Sequence, residues 1–68
     1  METMKVYCVF EVYTSPYPED YGKTLEKIFD SREKAESFIE EQKESNRYYY
    51  DEEYECSLQG IIEEFNVF

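Results

Sequence analysis

From Lys5 to Thr14 the chain alternates, placing Val6, Cys8, Phe10 and Val12 on one side of an extended strand and Tyr7, Val9, Glu11 and Tyr13 on the other. A strand with apolar residues on both sides can sit centrally in a sheet. The all-apolar side is the expected core. The Tyr-bearing side is mixed and suits partial cover or contact with a partner. A chain of 68 residues has room for one thin core, burying about 60% of the surface its unfolded form exposes. Residues 1–68 are therefore expected to form a single domain.

Eight Tyr and five Phe supply large rings for that core and, with the periodic pattern, argue for folding against a mean hydropathy of −0.82. Ser15 to Gly22, with two prolines, an Asp and a Gly, breaks the pattern and reads as an exposed loop. Lys23 to Phe29 resumes a strand, and the short connection makes it an antiparallel neighbour of the first. Asp30-Ser31-Arg32-Glu33 marks a helix start, with Asp30 as the expected cap and Glu33 placed to reach back, and with Ser31 as the alternative cap. Ala35, Phe38, Ile39 and Gln42 then form a narrow stripe facing the sheet, while Glu36, Glu40, Glu41 and Glu44 face water, and the helix is expected to end near Asn46.

The last third interleaves aromatics and carboxylates in Tyr48-Tyr49-Tyr50-Asp51-Glu52-Glu53-Tyr54-Glu55, followed by extended segments on either side of Gly60. We expect a hairpin turning at Ser57 to Gly60. The alternative is one long strand with a bulge at Gly60 that keeps Tyr54, Cys56, Leu58, Ile61, Phe65 and Val67 on one face. The fold class is α+β, an antiparallel sheet of three to four strands (β-β-α-β-β or β-β-α-β) with one helix on one face. The strand-to-helix junction Ile28-Phe29-Asp30-Ser31-Arg32-Glu33-Lys34-Ala35-Glu36-Ser37-Phe38-Ile39 resembles that of small β-β-α-β proteins of bacteria and their phages. This resemblance spans about half of the chain and implies the fold and a bacterial or phage origin.

Several chemistries lack their parts. There is no His, the only glycines are Gly22 and Gly60, and neither a phosphate-cradling loop nor a nucleophile elbow is present, so no enzyme is expected. Asp51-Glu52-Glu53 and Glu55 do not follow the calcium-loop order, and neighbouring strand carboxylates point to opposite faces, so no metal or other cofactor is expected. Cys8 and Cys56 stand far from any paired spacing and read as buried free thiols. No apolar run reaches the roughly 20 residues of a membrane span, and the first residues, Met1-Glu2-Thr3-Met4-Lys5, lack the order of a signal peptide. A cytoplasmic protein without membrane contact is expected.

Charge points to a partner. The net charge is −10; residues 1–47 carry eleven acids and seven bases, whereas residues 48–68 carry six acids and no base. Such a field repels nucleic acid and attracts basic protein surfaces. Glu36, Glu40 and Glu44 recur at roughly 5–6 Å on one helix face, and strand carboxylates two residues apart at about 6.6 Å, spacings that suit a row of Lys and Arg. In size and charge the chain is similar to phage-encoded DNA-mimic inhibitors of defence or repair enzymes. The expected partner-binding residues are Tyr48, Tyr49, Tyr50, Asp51, Glu52, Glu53 and Glu55, with Glu36, Glu40 and Glu44. Two functions compete: a non-enzymatic acidic module that binds a basic, nucleic-acid-contacting protein surface, and a module that self-associates as a homodimer through the Tyr-bearing sheet face. The plainest alternative for the acidic rows is a solvated face that keeps a small protein soluble.

Overall fold

The structure is a computed structural model that describes residues 4–17, 19 and 21–67. Its elements run β1 (Met4–Thr14), β2 (Gly22–Phe29), α1 (Arg32–Glu44), β3 (Tyr49–Asp51) and β4 (Cys56–Val67). They form one antiparallel sheet of order β2-β1-β4-β3, crossed on one side by α1. This is the α+β fold read from the sequence, in its β-β-α-β-β form. Pro18 and Asp20 of the expected Ser15 to Gly22 loop lie outside the described residues. Around them, the Tyr17 amide donates to Ser15 Oγ at 3.1 Å.

Local chemistry sets both ends of the helix. Ser31, in extended backbone, is the cap, its hydroxyl accepting from the Lys34 amide at 3.3 Å. Asp30 instead pairs with Lys34 at 3.0 Å, one turn on. At the other end Asn46 takes a left-handed conformation (φ 63°), which Asn tolerates better than most residues. The Asn46 amide donates to the Lys43 carbonyl at 3.1 Å and the Arg47 amide to the Gln42 carbonyl at 2.9 Å, the double bond of a Schellman motif. The helix thus ends at Glu44, two residues before the expected position, and the reversal sends Arg47 and Tyr48 back onto the sheet.

β4 corrects the expected hairpin at Gly60. It is one strand of 12 residues, paired with β1 from Met4↔Val67 to Thr14↔Ser57 without a break in register. It therefore contains neither a turn nor a bulge at Gly60, and alternation holds along its length. The register shift lies in β2, where Val9 faces Lys27 and Phe10 faces Leu25, leaving Glu26 as the extra residue. Gly60 has a different purpose. A Cβ added there would lie 2.5 Å from Cε2 of Tyr48, so the missing side chain makes the berth in which that ring sits.

The assignment of faces also departs from expectation. Phe29 packs on Phe38 of α1 with ring centroids 5.6 Å apart and is paired with Tyr7, and the Arg32 guanidinium lies over the Tyr7 ring. Directly opposed residues share a face. The helix therefore covers the Tyr7, Val9, Glu11 and Tyr13 side, and Val9 becomes fully buried, the largest side chain so enclosed among the described residues. The Val6, Cys8, Phe10 and Val12 side, expected to be the core, has no helix over it, although Cys8 within it is buried. The reason is chemical. α1 offers a narrow apolar stripe flanked by charges, and the mixed face can answer those charges: Arg32 pairs with Glu64 at 3.7 Å, Arg47 with Glu11 at 2.8 Å, and Lys27 lies over the Phe29 and Phe38 rings. The homodimer expected through the Tyr-bearing face is corrected on the same ground, since the helix occupies that face.

Candidate protein-binding surfaces

Register assembles the open face. On it β1 places Met4, Val6, Cys8, Phe10 and Val12; β2 places Lys23, Leu25 and Ile28; β4 places Gln59, Ile61, Glu63, Phe65 and Val67; and β3 adds Tyr50. Met4, Leu25, Ile28, Tyr50, Ile61, Phe65 and Val67 are all exposed, at values from 37% for Ile61 to 66% for Met4. Four strands of 11, 8, 3 and 12 residues, rising about 3.3 Å per residue and about 4.8 Å apart, make this face about 540 Å². This lies in the upper part of the range of about 300–600 Å² for a monomer's largest apolar patch, which is often a functional surface.

One ion pair crosses this surface. Lys23 reaches from β2 over the Phe10 ring, 4.6 Å from its centroid, to Glu63 on β4. The lysine stem lies on the aromatic ring while its ammonium neutralises the only carboxylate among the described side chains of that face. At the sheet's end the Thr14 and Ser57 hydroxyls hydrogen-bond at 2.7 Å.

The covered side holds a polar cluster at the end of α1. Arg47 donates to Glu11 Oε1 at 3.0 Å, to Glu26 Oε1 at 3.3 Å and to Gln42 Oε1 at 3.1 Å, and its bond to Glu26 raises the guanidinium above its ordinary value. Tyr48 beside it is buried on Gly60. Burial, then the neighbouring Glu11 carboxylate, pushes the Tyr48 hydroxyl up to about 12, and that oxygen has no hydrogen-bond partner among the described residues. The cluster ties helix to sheet. Tyr48 is thereby corrected as a partner-binding residue, because its ring is part of the core.

The other expected site residues lie in two places. Glu36, Glu40 and Glu44 are exposed along the outer face of α1. Tyr49 and Tyr50 are exposed on β3, on opposite faces of the sheet, while Glu52, Glu53 and Glu55 are exposed in the turn that follows. Asp51 holds this turn, its Oδ1 accepting from the Glu53 amide at 3.0 Å and the Tyr54 amide at 3.3 Å. Helix row and turn do not meet. α1 lies between the levels of Tyr7 and Glu11 on β1, through Arg32 and Arg47, whereas the turn lies beyond the Thr14↔Ser57 pair.

Pairing redraws the charge map. Lys5 bonds Glu64 at 2.9 Å, which raises the ammonium and holds the Glu64 carboxyl below the usual range. With Lys23 on Glu63, the β4 carboxylates of the base-free third recruit bases from β1, β2 and α1. Glu36, Glu40, Glu44, Glu52, Glu53 and Glu55 make no ion pair with another described residue. Among the described residues no group of acids and thiols converges as a metal site would require, both cysteines are free thiols, Cys8 buried and Cys56 half-buried, and no helix is long and apolar enough to cross a membrane.

Sequence reasoning missed the open face as an interaction surface. Its residues were on view as an alternating set, but alternation alone does not say which side a single helix will cover. Compared with protein-family models, with curated proteins and with solved structures, the chain matches none.

Proposed function

We propose that this protein is a non-enzymatic protein-binding module that works through the open face of its sheet. One observation carries the reading: the more apolar side of β1 is the side without a covering layer. A sheet face of this composition gains about 25 cal/mol for each Å² of apolar surface taken from water, and its stable arrangements have a second layer against it. The free thiols suit a reducing compartment such as the cytoplasm.

The test is photocrosslinking in cells that express the protein, with a photoreactive phenylalanine analogue in place of Phe65 on the open face or of Glu40 on the outer helix face. The reading predicts a discrete protein adduct from position 65 that is weak or absent from position 40. No adduct from position 65 would sink it.

A second reading is favoured by the unpaired carboxylates. In this reading the helix row and the turn after β3 engage a basic, nucleic-acid-contacting surface of another protein, carboxylates standing where phosphates would, as in a phage-encoded inhibitor of a defence or repair enzyme. The two are compatible, since the acidic groups lie off the open face. Changing Glu52, Glu53 and Glu55 to Lys should abolish such binding, which should also weaken steeply with salt; affinity that survives both would remove the mimicry.

A further inference from the structure

The open face is apolar, extended and almost free of charge, and its occupant can be argued from area and charge. We infer that a second copy of this chain covers it, sheet against sheet about a two-fold axis, with the two helices outermost. This rests on the reading of the open face as the docking surface.

Area comes first. A folded monomer of 8.3 kDa is expected to expose about 4,600 Å², whereas this chain exposes 5302 Å², an excess of about 700 Å². That excess is somewhat larger than the open face, about 540 Å², and approaches the roughly 800 Å² that each partner buries in a standard stable interface. Shape agrees. The radius of gyration is 14.0 Å against about 11 Å for a compact chain of this length, and the molecule is a slab with extents of 50 × 27 × 12 Å. Stacking two slabs through the open faces supplies the missing thickness, with the sheets about 10 Å apart.

Charge selects the copy. Two molecules of net charge −10 repel each other in most orientations. The open face is the exception, for its described charged groups are Lys23 and Glu63, which neutralise each other, while the unpaired carboxylates lie on the helix and in the turn after β3. Two copies therefore meet with least repulsion through these faces. A two-fold contact places residue i on j and j on i, so each Lys23 can also serve its partner's Glu63 without an unpaired charge in the interface.

Sedimentation velocity of the full chain, from low-micromolar to submillimolar concentration at physiological salt, tests this. The wild type is expected to reach twice the chain mass. The variant Ile28→Ser/Phe65→Ser, at two exposed open-face positions, should weaken association at least about 30-fold and keep the wild-type circular dichroism spectrum. If the double variant loses that spectrum, the single variants Ile28→Ser and Val67→Ser carry the comparison. A wild type that stays at monomer mass throughout overturns the inference, as does a dimer unaffected by these substitutions. A crosslink from position 65 to a different protein also overturns it while leaving the docking reading intact, so the two failures are distinguishable.

Discussion

The two faces of this sheet divide the work of the molecule differently. The covered face is chemically mixed: Val9 is sealed beneath α1, but around it Glu64 meets Arg32 and Lys5, Lys27 lies over the Phe38 ring, and Glu11 meets Arg47 just beyond the helix end. The open face is mostly apolar, with the Lys23–Glu63 pair as its described charges, and has no layer of its own. A usual antiparallel sheet turns its apolar side to the core and its polar side to water. Here the helix took the face that could satisfy its flanking charges, leaving the better hydrophobic surface available. In a chain this small, a helix with a narrow stripe can choose its face by polar complementarity as much as by apolar area.

Substitutions on the two faces should separate monomer folding from association. The largest effect on folding is expected at Val9, where Val9→Ala truncates the largest fully buried side chain among the described residues and should cost about 2 kcal/mol or more, read as a lower denaturant midpoint. Gly60→Ala comes next: the added methyl meets the Tyr48 ring, and overpacking there should cost about 1–3 kcal/mol, with loss of amide protection at the end of α1. Open-face changes should be milder for the fold. Ile28→Ser/Phe65→Ser should leave a melting temperature that no longer rises with protein concentration, in contrast to the wild type. If this variant instead unfolds as Val9→Ala does, the open face is a structural core and the contrast collapses.

The smallest effect at neutral pH belongs to Tyr48→Phe, which removes a buried hydroxyl without a partner and should change stability by less than about 1 kcal/mol. Its signature is alkaline. The folded-state value of about 12 lies above the ordinary 10.0, so the folded form holds its proton more tightly than the unfolded chain. That contribution is complete below pH 10 and is lost as pH rises toward 12. The wild type should therefore lose stability faster than Tyr48→Phe above pH 10, and parallel pH curves would contradict the enclosed hydroxyl.

Much of this fold could be read directly from the chain. Alternation marked β1, and the Asp30-Ser31 start and the Ala35, Phe38, Ile39 and Gln42 stripe marked α1, although the cap is the alternative Ser31 rather than Asp30; the Glu36, Glu40 and Glu44 row faces water as expected. What escaped was long-range. Alternation groups side chains into sets without saying which set a helix will cover, because that depended on Glu11 and Glu64 being within reach of Arg47 and Arg32. Gly60 carried a legible signal, a lone glycine in a strand pattern, which can mean a turn, a bulge or a close approach. Only the Asn46 reversal, which delivers the Tyr48 ring to Gly60, decides for the third. The same reversal removed Tyr48 from the expected binding set, while Tyr49 and Tyr50, one and two residues on, remain exposed.

The central claim is that the open face of the sheet is covered in solution, and paramagnetic broadening of side-chain methyl signals by a soluble spin label tests it most directly. At high protein concentration the methyls of Val12, Ile28 and Ile61 should be shielded nearly as well as those of Val9, and should broaden strongly in Ile28→Ser/Phe65→Ser wherever the methyl is retained. Strong broadening of Val12, Ile28 and Ile61 in the concentrated wild type, with Val9 still shielded, would show the face bare and contradict the account.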